Sequence, residues 1–160
     1  MEQFFKNNDS QGFNTWHTQN CQSKIAMQEL ELSHLFITQF NLVNADFSDM
    51  TITDCYFKNV NFWASDFTNT KFINCFFISC CFGTPELIDA SASTLMQFVF
   101  TAPIFKDTEF INGNFLNVSF RENNLSNTFF KFSTVEKCDF RSTFVEEIKD
   151  LDTNWLNNIS

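Results

Sequence analysis

Glycine occurs only 3 times in 160 residues, proline and histidine twice each, and tyrosine once. Without glycine there is no phosphate-cradling loop and no nucleophile elbow. Neither His17 nor His34 comes with a recognisable acid or base partner. The six cysteines, Cys21, Cys55, Cys75, Cys80, Cys81 and Cys138, include no C-x-x-C pair, so zinc is not indicated. These shortages exclude the common catalytic signatures, and the sequence predicts a protein without enzymatic activity, metal or cofactor.

Positive charge is scarce too. Ten Lys and Arg face nineteen Asp and Glu, giving a net charge of -9 and a pI near 4.5. Direct binding to nucleic acid or to an anionic bilayer is disfavoured. No apolar run approaches the roughly 20 residues of a membrane span, and Met1 to Asn8 lacks the basic start of a secretory leader. A single-domain cytoplasmic protein with reduced thiols is expected.

What the sequence has is phenylalanine, 24 copies of it. From Met27 an apolar residue recurs at every fifth place: Leu32, Ile37, Leu42, Phe47, Ile52, Phe57, Phe62, Phe67, Phe72, Phe77 and Phe82. The phase returns at Phe100 and runs through Phe105, Phe110, Phe115, Phe120, Leu125, Phe130, Val135, Phe140 and Val145. Fourteen of the 24 Phe fall on these 22 centres, where even scattering would put roughly 3, so the period is a true repeat. Five matches neither the 3.6 of a helix nor the 2 of a flat strand. The chain must turn a corner every five residues, and four corners close a square coil of twenty.

Stacked Phe rings would fill such a coil, each burial contributing on the order of 1.5 to 3 kcal/mol. The position two before each centre should also point inward. It holds Ile25, Leu30, Leu35 and Phe40 early on, then smaller residues such as Ala45, Cys55, Ser65, Thr70 and Cys75. The bulky early ones predict either a wider first coil or a helix over 24–36. Cys55 and Cys75 would stack in adjacent coils, close enough for a disulfide, although small buried thiols are the simpler reading.

Three segments fall outside the lattice. Residues 1–24 have Phe4, Phe5, Phe13 and Trp16 at no regular spacing and predict an irregular N-terminal cap. The β-helix itself is assigned to 25–145. An insertion over 83–97 interrupts it, where Thr84-Pro85-Glu86 resembles a helix start and Leu87, Ile88, Leu95 or Met96 would hold it down. Over 146–160, Ile148, Leu151, Trp155 and Ile159 follow helical spacing. They predict a C-terminal helix that lids the open end or joins two subunits, with Trp155 as anchor.

Ala45-Asp46-Phe47-Ser48-Asp49, Ser65-Asp66-Phe67-Thr68-Asn69, Asn123-Asn124-Leu125-Ser126-Asn127 and Cys138-Asp139-Phe140-Arg141-Ser142 resemble the pentapeptide repeat: a small residue, Asp or Asn, Leu or Phe, then two polar positions. The resemblance implies an all-β solenoid, a right-handed quadrilateral parallel β-helix, here of about five coils by its length. It also implies a bacterial protein-binding role. Some family members are acidic rods that mimic duplex DNA and occupy DNA gyrase or topoisomerase IV, protecting the enzyme from quinolones or other poisons, hence a link to antibiotic resistance.

Two outward stripes are candidate partner sites. With Phe100 placed on the face of Phe47 and Phe67, one face carries Glu29, Asp46, Asp49, Asp66, Glu122 and Asp139, diluted by Arg121 and Arg141. These acids either serve solubility or dock on a cationic groove such as that of gyrase. The face of Phe57 carries Phe36, Tyr56, Phe76 and Phe129. These aromatics are either covered by the N-terminal segment or the insertion, or they form a partner site of a more general scaffold, such as a bacterial effector or immunity protein.

Overall fold

The corners come from a backbone conformation that glycine-poor chains seldom sustain. Every fifth residue from His34 to Ser79 and from Asp107 to Ser142, then Asp152 and Asn157, has φ between 50 and 64°. Asn and Asp, whose short polar side chains tolerate the left-handed region best among non-glycine residues, fill twelve of these twenty places. Each left-handed residue ends a short strand and turns the chain onto the next side. The computed structural model of this chain describes residues 1–20, 23–83, 103–146 and 148–160.

Two helices open the chain, α1 (Glu2–Lys6) and α2 (Ser10–Asn20), followed by thirteen short strands. β1 (Ile25–Ala26) pairs with β3 (Ala45–Asp46). A five-stranded sheet stacks β4 (Thr51–Thr53), β6 (Lys71–Ile73), β8 (Glu109–Ile111), β10 (Phe129–Lys131) and β12 (Lys149–Leu151). A six-stranded sheet stacks β2 (Phe36–Thr38), β5 (Tyr56–Lys58), β7 (Phe76–Ile78), β9 (Asn114–Leu116), β11 (Thr134–Glu136) and β13 (Asn154–Leu156). All these pairings are parallel. Isolated parallel bridges extend the first side from Asp46 through Asp66, Ile104 and Asn124 to Phe144. Others make the fourth side from Asn41 through Asn61, Cys81, Ser119 and Asp139 to Ile159. The molecule is a parallel β-solenoid of about six turns.

Inside, the rings stand in columns. Phe62 lies 4.7 Å from Phe82, and Phe82 5.2 Å from Phe120, with interplanar angles of 9° and 1°. Phe57, Phe77 and Phe115 stack at 5.0 and 4.9 Å. Adjacent columns meet edge to face, as at Phe77 and Phe110, whose planes are 90° apart. Stacking up a column and T-contacts between columns are the two geometries an aromatic quadrupole favours. A leucine column would gain area but neither of these, which accounts for the preference for Phe.

The small inward residues have a hydrogen-bonding task. Ser65 Oγ, Thr70 Oγ1 and Thr108 Oγ1 donate to the carbonyls of Leu42, Phe47 and Phe67 in the coil below, at 2.6 to 2.7 Å. Cys75, Cys80 and Cys138 reach the carbonyls of Ile52, Phe57 and Phe115 by the same route at 3.5 to 3.8 Å. Cysteine here replaces serine as a small donor. Cys55 and Cys75 are both free and buried. Burial pushes the Cys80 thiol up to about 12 and that of Cys138 up to about 11. Hydrogen bonding with Cys55, then burial, also pushes Cys75 up, so these thiols are not poised as nucleophiles.

Four expectations need correction. Residues 1–24 are not an irregular cap, because α1 and α2 fill most of them. Asp9 Oδ1 accepts the Gly12 amide at 2.9 Å and caps α2, and Phe13 packs on Phe40 at 5.2 Å. No helix forms over 24–36; β1, a bridge at Ser33 and the start of β2 occupy it. Bulk at the inward position Phe40 meets the helices instead, its ring 4.9 Å from Phe5 and 5.2 Å from Phe13.

Among the described residues the C-terminal helix is likewise absent: 148–160 continue the solenoid through β12 and β13. The lattice persists as Val145, Asp150 and Trp155, with left-handed Asp152 and Asn157. An aspartate at a centre hid it. The spacing of Ile148, Leu151, Trp155 and Ile159 mixes inward and outward positions, and its helical look is coincidental.

The fourth correction concerns register. Coils repeat every 20 residues before the insertion, as in the Asn69–Asp49 bond, but Asn112 bonds Asn74 across 38. The interruption therefore holds eighteen extra residues, one side more than the thirteen between the two runs of centres. Phe105, not Phe100, stacks on Phe67 at 5.3 Å. Every later stripe is thereby moved round by one face. The expected helix start at 84–86, its anchors and Phe100 lie outside the described residues.

Candidate interaction surfaces

The acidic stripe is divided between two sides. Asp46 and Asp66 lie on the first side with Asp49 and Glu29 at its corner, whereas Asp139, beside Phe140, lies on the fourth side and Glu122 at that side's corner. Register alone separates them, since Phe120 and Phe140 stack with Phe82 and not with Phe67.

Most of these carboxylates are also engaged locally. Asp46 Oδ1 accepts from the amide and hydroxyl of Ser48 at 3.0 and 2.6 Å, and Asp66 Oδ1 does the same with Thr68. Asp139 accepts from Arg141 N and from its guanidinium, at 2.6 Å to Nη2. Asn61 and Asn124 make the matching bond to Trp63 and Ser126. The Asp or Asn of each repeat thus pins its own turn. Lys24 adds ion pairs to Asp66 at 2.7 Å and Asp46 at 3.6 Å. Burial alone would raise Asp46 and Asp66, but the Ser48, Thr68 and Lys24 bonds outweigh it and hold both below the ordinary carboxylate value.

The aromatic stripe is real for three of its four members. Phe36, Tyr56 and Phe76 are in register on β2, β5 and β7. Their ring centroids are 5.5 and 6.5 Å apart, and Phe36 is 68% and Phe76 46% exposed. The N-terminal helices do not cover them. The stripe continues as Asn114 and Thr134, so Phe129 does not belong to it. Phe129 stands on the five-stranded sheet, above Glu109.

The last coil presents a third surface. Trp155 packs edge-on against Phe130 at 5.3 Å and Phe140 at 5.8 Å, yet is 37% exposed. With Phe140, Val145, Ile148 and Ile159 it lines a cavity of about 360 Å³. Leu151 faces outward on the five-stranded sheet instead. Among the described residues no three His, Cys, Asp or Glu gather where they could hold a metal, and no helix is long and apolar enough to cross a membrane.

Sequence reasoning missed the N-terminal clamp. Asn8 and Asn14 on or beside the helices bond the backbone of Thr38, Gln39 and Asn41, and His17 Nε2 donates to Val43 O at 2.9 Å. The Asp9 cap followed by Phe13, Trp16 and His17 at helical spacing was the available signal.

Five-residue sides, a small inward residue, a turn-pinning Asp or Asn and a stacked central ring define a parallel solenoid of pentapeptides. The chain carries pentapeptide repeats: the family described as Pentapeptide repeats matches with 8 copies over residues 52–83 and 104–141. No curated protein matches the sequence. Solved structures it is similar to include QnrB1, a plasmid-mediated fluoroquinolone resistance protein, at 12% identity and a TM-score of 0.39, covering 85% of this chain and 77% of that one. Rfr23 from the cyanobacterium Cyanothece has 12% identity and a TM-score of 0.25, over 78% and 63% of the two chains. HetL from the cyanobacterium Nostoc, involved in heterocyst differentiation regulation, has 9% identity and a TM-score of 0.22, over 84% and 70%. Nothing about partner or activity follows from likenesses this distant.

Proposed function

We propose that this chain is a non-enzymatic, cytoplasmic protein-binding solenoid that engages its partner through the outer face of the six-stranded sheet, at Phe36, Tyr56 and Phe76. The observation that carries this reading is the in-register aromatic ladder, exposed at Phe36 and Phe76 and half-buried at Tyr56, a feature monomers rarely leave bare and one enriched at interface centres. A photo-crosslinking side chain at position 36, 56 or 76 should trap one discrete adduct in host cells, while the same group at Ser119, on the fourth side, should not. Absence of an adduct from all three positions would remove the reading.

Gyrase or topoisomerase IV is the second candidate partner, favoured by the net charge of -9 and by the exposed corner carboxylates Asp49 and Asp107. Mimicry of duplex DNA requires binding that weakens steeply with salt and with Asp49→Asn, together with relief of ciprofloxacin inhibition in a supercoiling assay. Salt-insensitive binding lost in Tyr56→Ser assigns gyrase to the aromatic face instead. The exposed end around Trp155 is the place where two copies would meet, and sedimentation of Trp155→Ser against the parent chain tests that pairing.

A further inference from the structure

Basic residues are few, yet they are unevenly placed. The strands of the five-stranded sheet turn Lys71, Lys131 and Lys149 outward against one outward carboxylate, Glu109. Glu109 bridges Lys71 at 3.2 Å and Lys131 at 2.6 Å. Between the lysines lies Phe129, with the Lys131 and Lys149 ammonium groups 4.9 and 4.5 Å from its ring centroid. The outward strand positions of this side therefore carry two positive charges in excess on a chain whose net charge is -9, and Asp152, at the corner beside Phe132, offsets one of them. Glu109 and the Phe129 ring hold the array in place, so little side-chain freedom remains to be lost on binding.

A second observation points to the same place. Phe132, at the corner beside Lys131, has φ of 52° and is 54% exposed. Its neighbours up and down that corner are Asn112 and Asp152, residues suited to the left-handed region. A bulky ring held there costs on the order of 1 to 3 kcal/mol while more than half of its surface stays in water. Leu151, 49% exposed, stands next to it in the coil above, its carbonyl accepting the Phe132 amide at 2.8 Å.

We propose that this side, centred on Phe129 and Phe132, is a docking surface for an acidic protein segment that carries an aromatic or aliphatic side chain. The lysines receive its carboxylates, and Phe132 with Leu151 receives the apolar side chain. Charge complementarity selects the occupant: the face is a positive island on an acidic protein, which repels most acidic chains elsewhere and admits them here. The surface is distinct from the aromatic ladder and does not rest on it.

The test is a displayed library of random dodecapeptides panned on the whole protein. Recovered peptides should be rich in Asp and Glu around one aromatic or aliphatic residue. The best of them, synthesised with a fluorophore, should lose about tenfold in affinity in the triple variant K71Q/K131Q/K149Q, about tenfold in Phe132→Asn, and markedly at high salt. Phe36→Ser, on the adjacent sheet, should bind as the parent does. Phe132→Asn should melt no lower than the parent, so its loss of binding cannot come from unfolding. Peptides without acidic enrichment, or equal affinity for the parent and Phe132→Asn, would overturn the proposal. A dimer in sedimentation that the triple variant abolishes would do so too, by giving the face to a second copy.

Discussion

Asn14 treats Asn41 as a neighbouring strand would: its Oδ1 accepts the Asn41 amide at 2.7 Å while its Nδ2 donates to the Gln39 carbonyl at 2.9 Å. Asn8 does the same at Thr38, accepting its amide at 2.9 Å and donating to its hydroxyl at 2.8 Å. Side chains from a helical cap thus satisfy a β-edge that would otherwise offer itself to another chain. Asn14→Ala removes two bonds and leaves a half-buried amide unpaired, a loss of about 1 to 3 kcal/mol. Hydrogen exchange should show the Asn41 amide deprotected well before that of Phe77, deep in the column.

Phe62 is fully buried and meets Phe47, Phe57, Phe67, Phe77 and Phe82. Its truncation opens a cavity inside a tube whose backbone is held by ladders on every side and cannot collapse. Phe62→Ala should cost about 3 to 5 kcal/mol in denaturant unfolding. Phe62→Leu, keeping most of the volume but losing the stack with Phe82, should cost less than half as much. Equal costs would mean that volume alone matters in the column.

The spacing of Phe47 to Phe82 made the solenoid legible, because a period of five admits few other folds. What escaped the sequence was phase. Insertions that differ by five leave the later centres at the same positions, so thirteen or eighteen residues between coils leave the Phe series looking alike, and only the stack of Phe105 on Phe67 decides. That one-side error merged Glu122 and Asp139 with Asp46 and Asp66, and Phe129 with Tyr56. The tail failed for a different reason. Asp150 replaces an apolar centre, and it stays satisfied there because Trp155 Nε1 donates to it at 3.0 Å and Thr153 N at 3.2 Å.

Acid should weaken the fold through specific carboxylates. The Arg141 hydrogen bonds hold Asp139 below the ordinary value, those of Lys131 and Lys71 hold Glu109 down despite some burial, and Asp46 and Asp66 are held low as described. A folded pKa below the unfolded one adds stability that is complete above the unfolded value, about 4, and is lost as pH falls through the folded value. Melting temperature should therefore be nearly flat from neutral pH down to about pH 5 and drop below about pH 4. Asp139→Asn should flatten part of that drop. A melting temperature that rises on acidification would contradict the assignment.

The corners make the most discriminating forecast, since one geometry recurs with different residues. Ala64 holds φ of 60° with no side-chain bond to offset it, and an L-residue with a Cβ costs roughly 1 to 2 kcal/mol there. Gly has no such cost, although the freer unfolded chain takes back about 0.4 to 1 kcal/mol. Ala64→Gly should therefore raise stability, by about 0.5 to 1 kcal/mol. Asn112 at φ of 52° donates to Asn74 Oδ1 at 3.1 Å in the coil below. Asn112→Ala should lower stability by about 1 kcal/mol through both the strain and the lost bond. Urea unfolding of the two variants beside the parent reads both signs at once, and a destabilised Ala64→Gly would show that the corner is not under the strain its torsion implies.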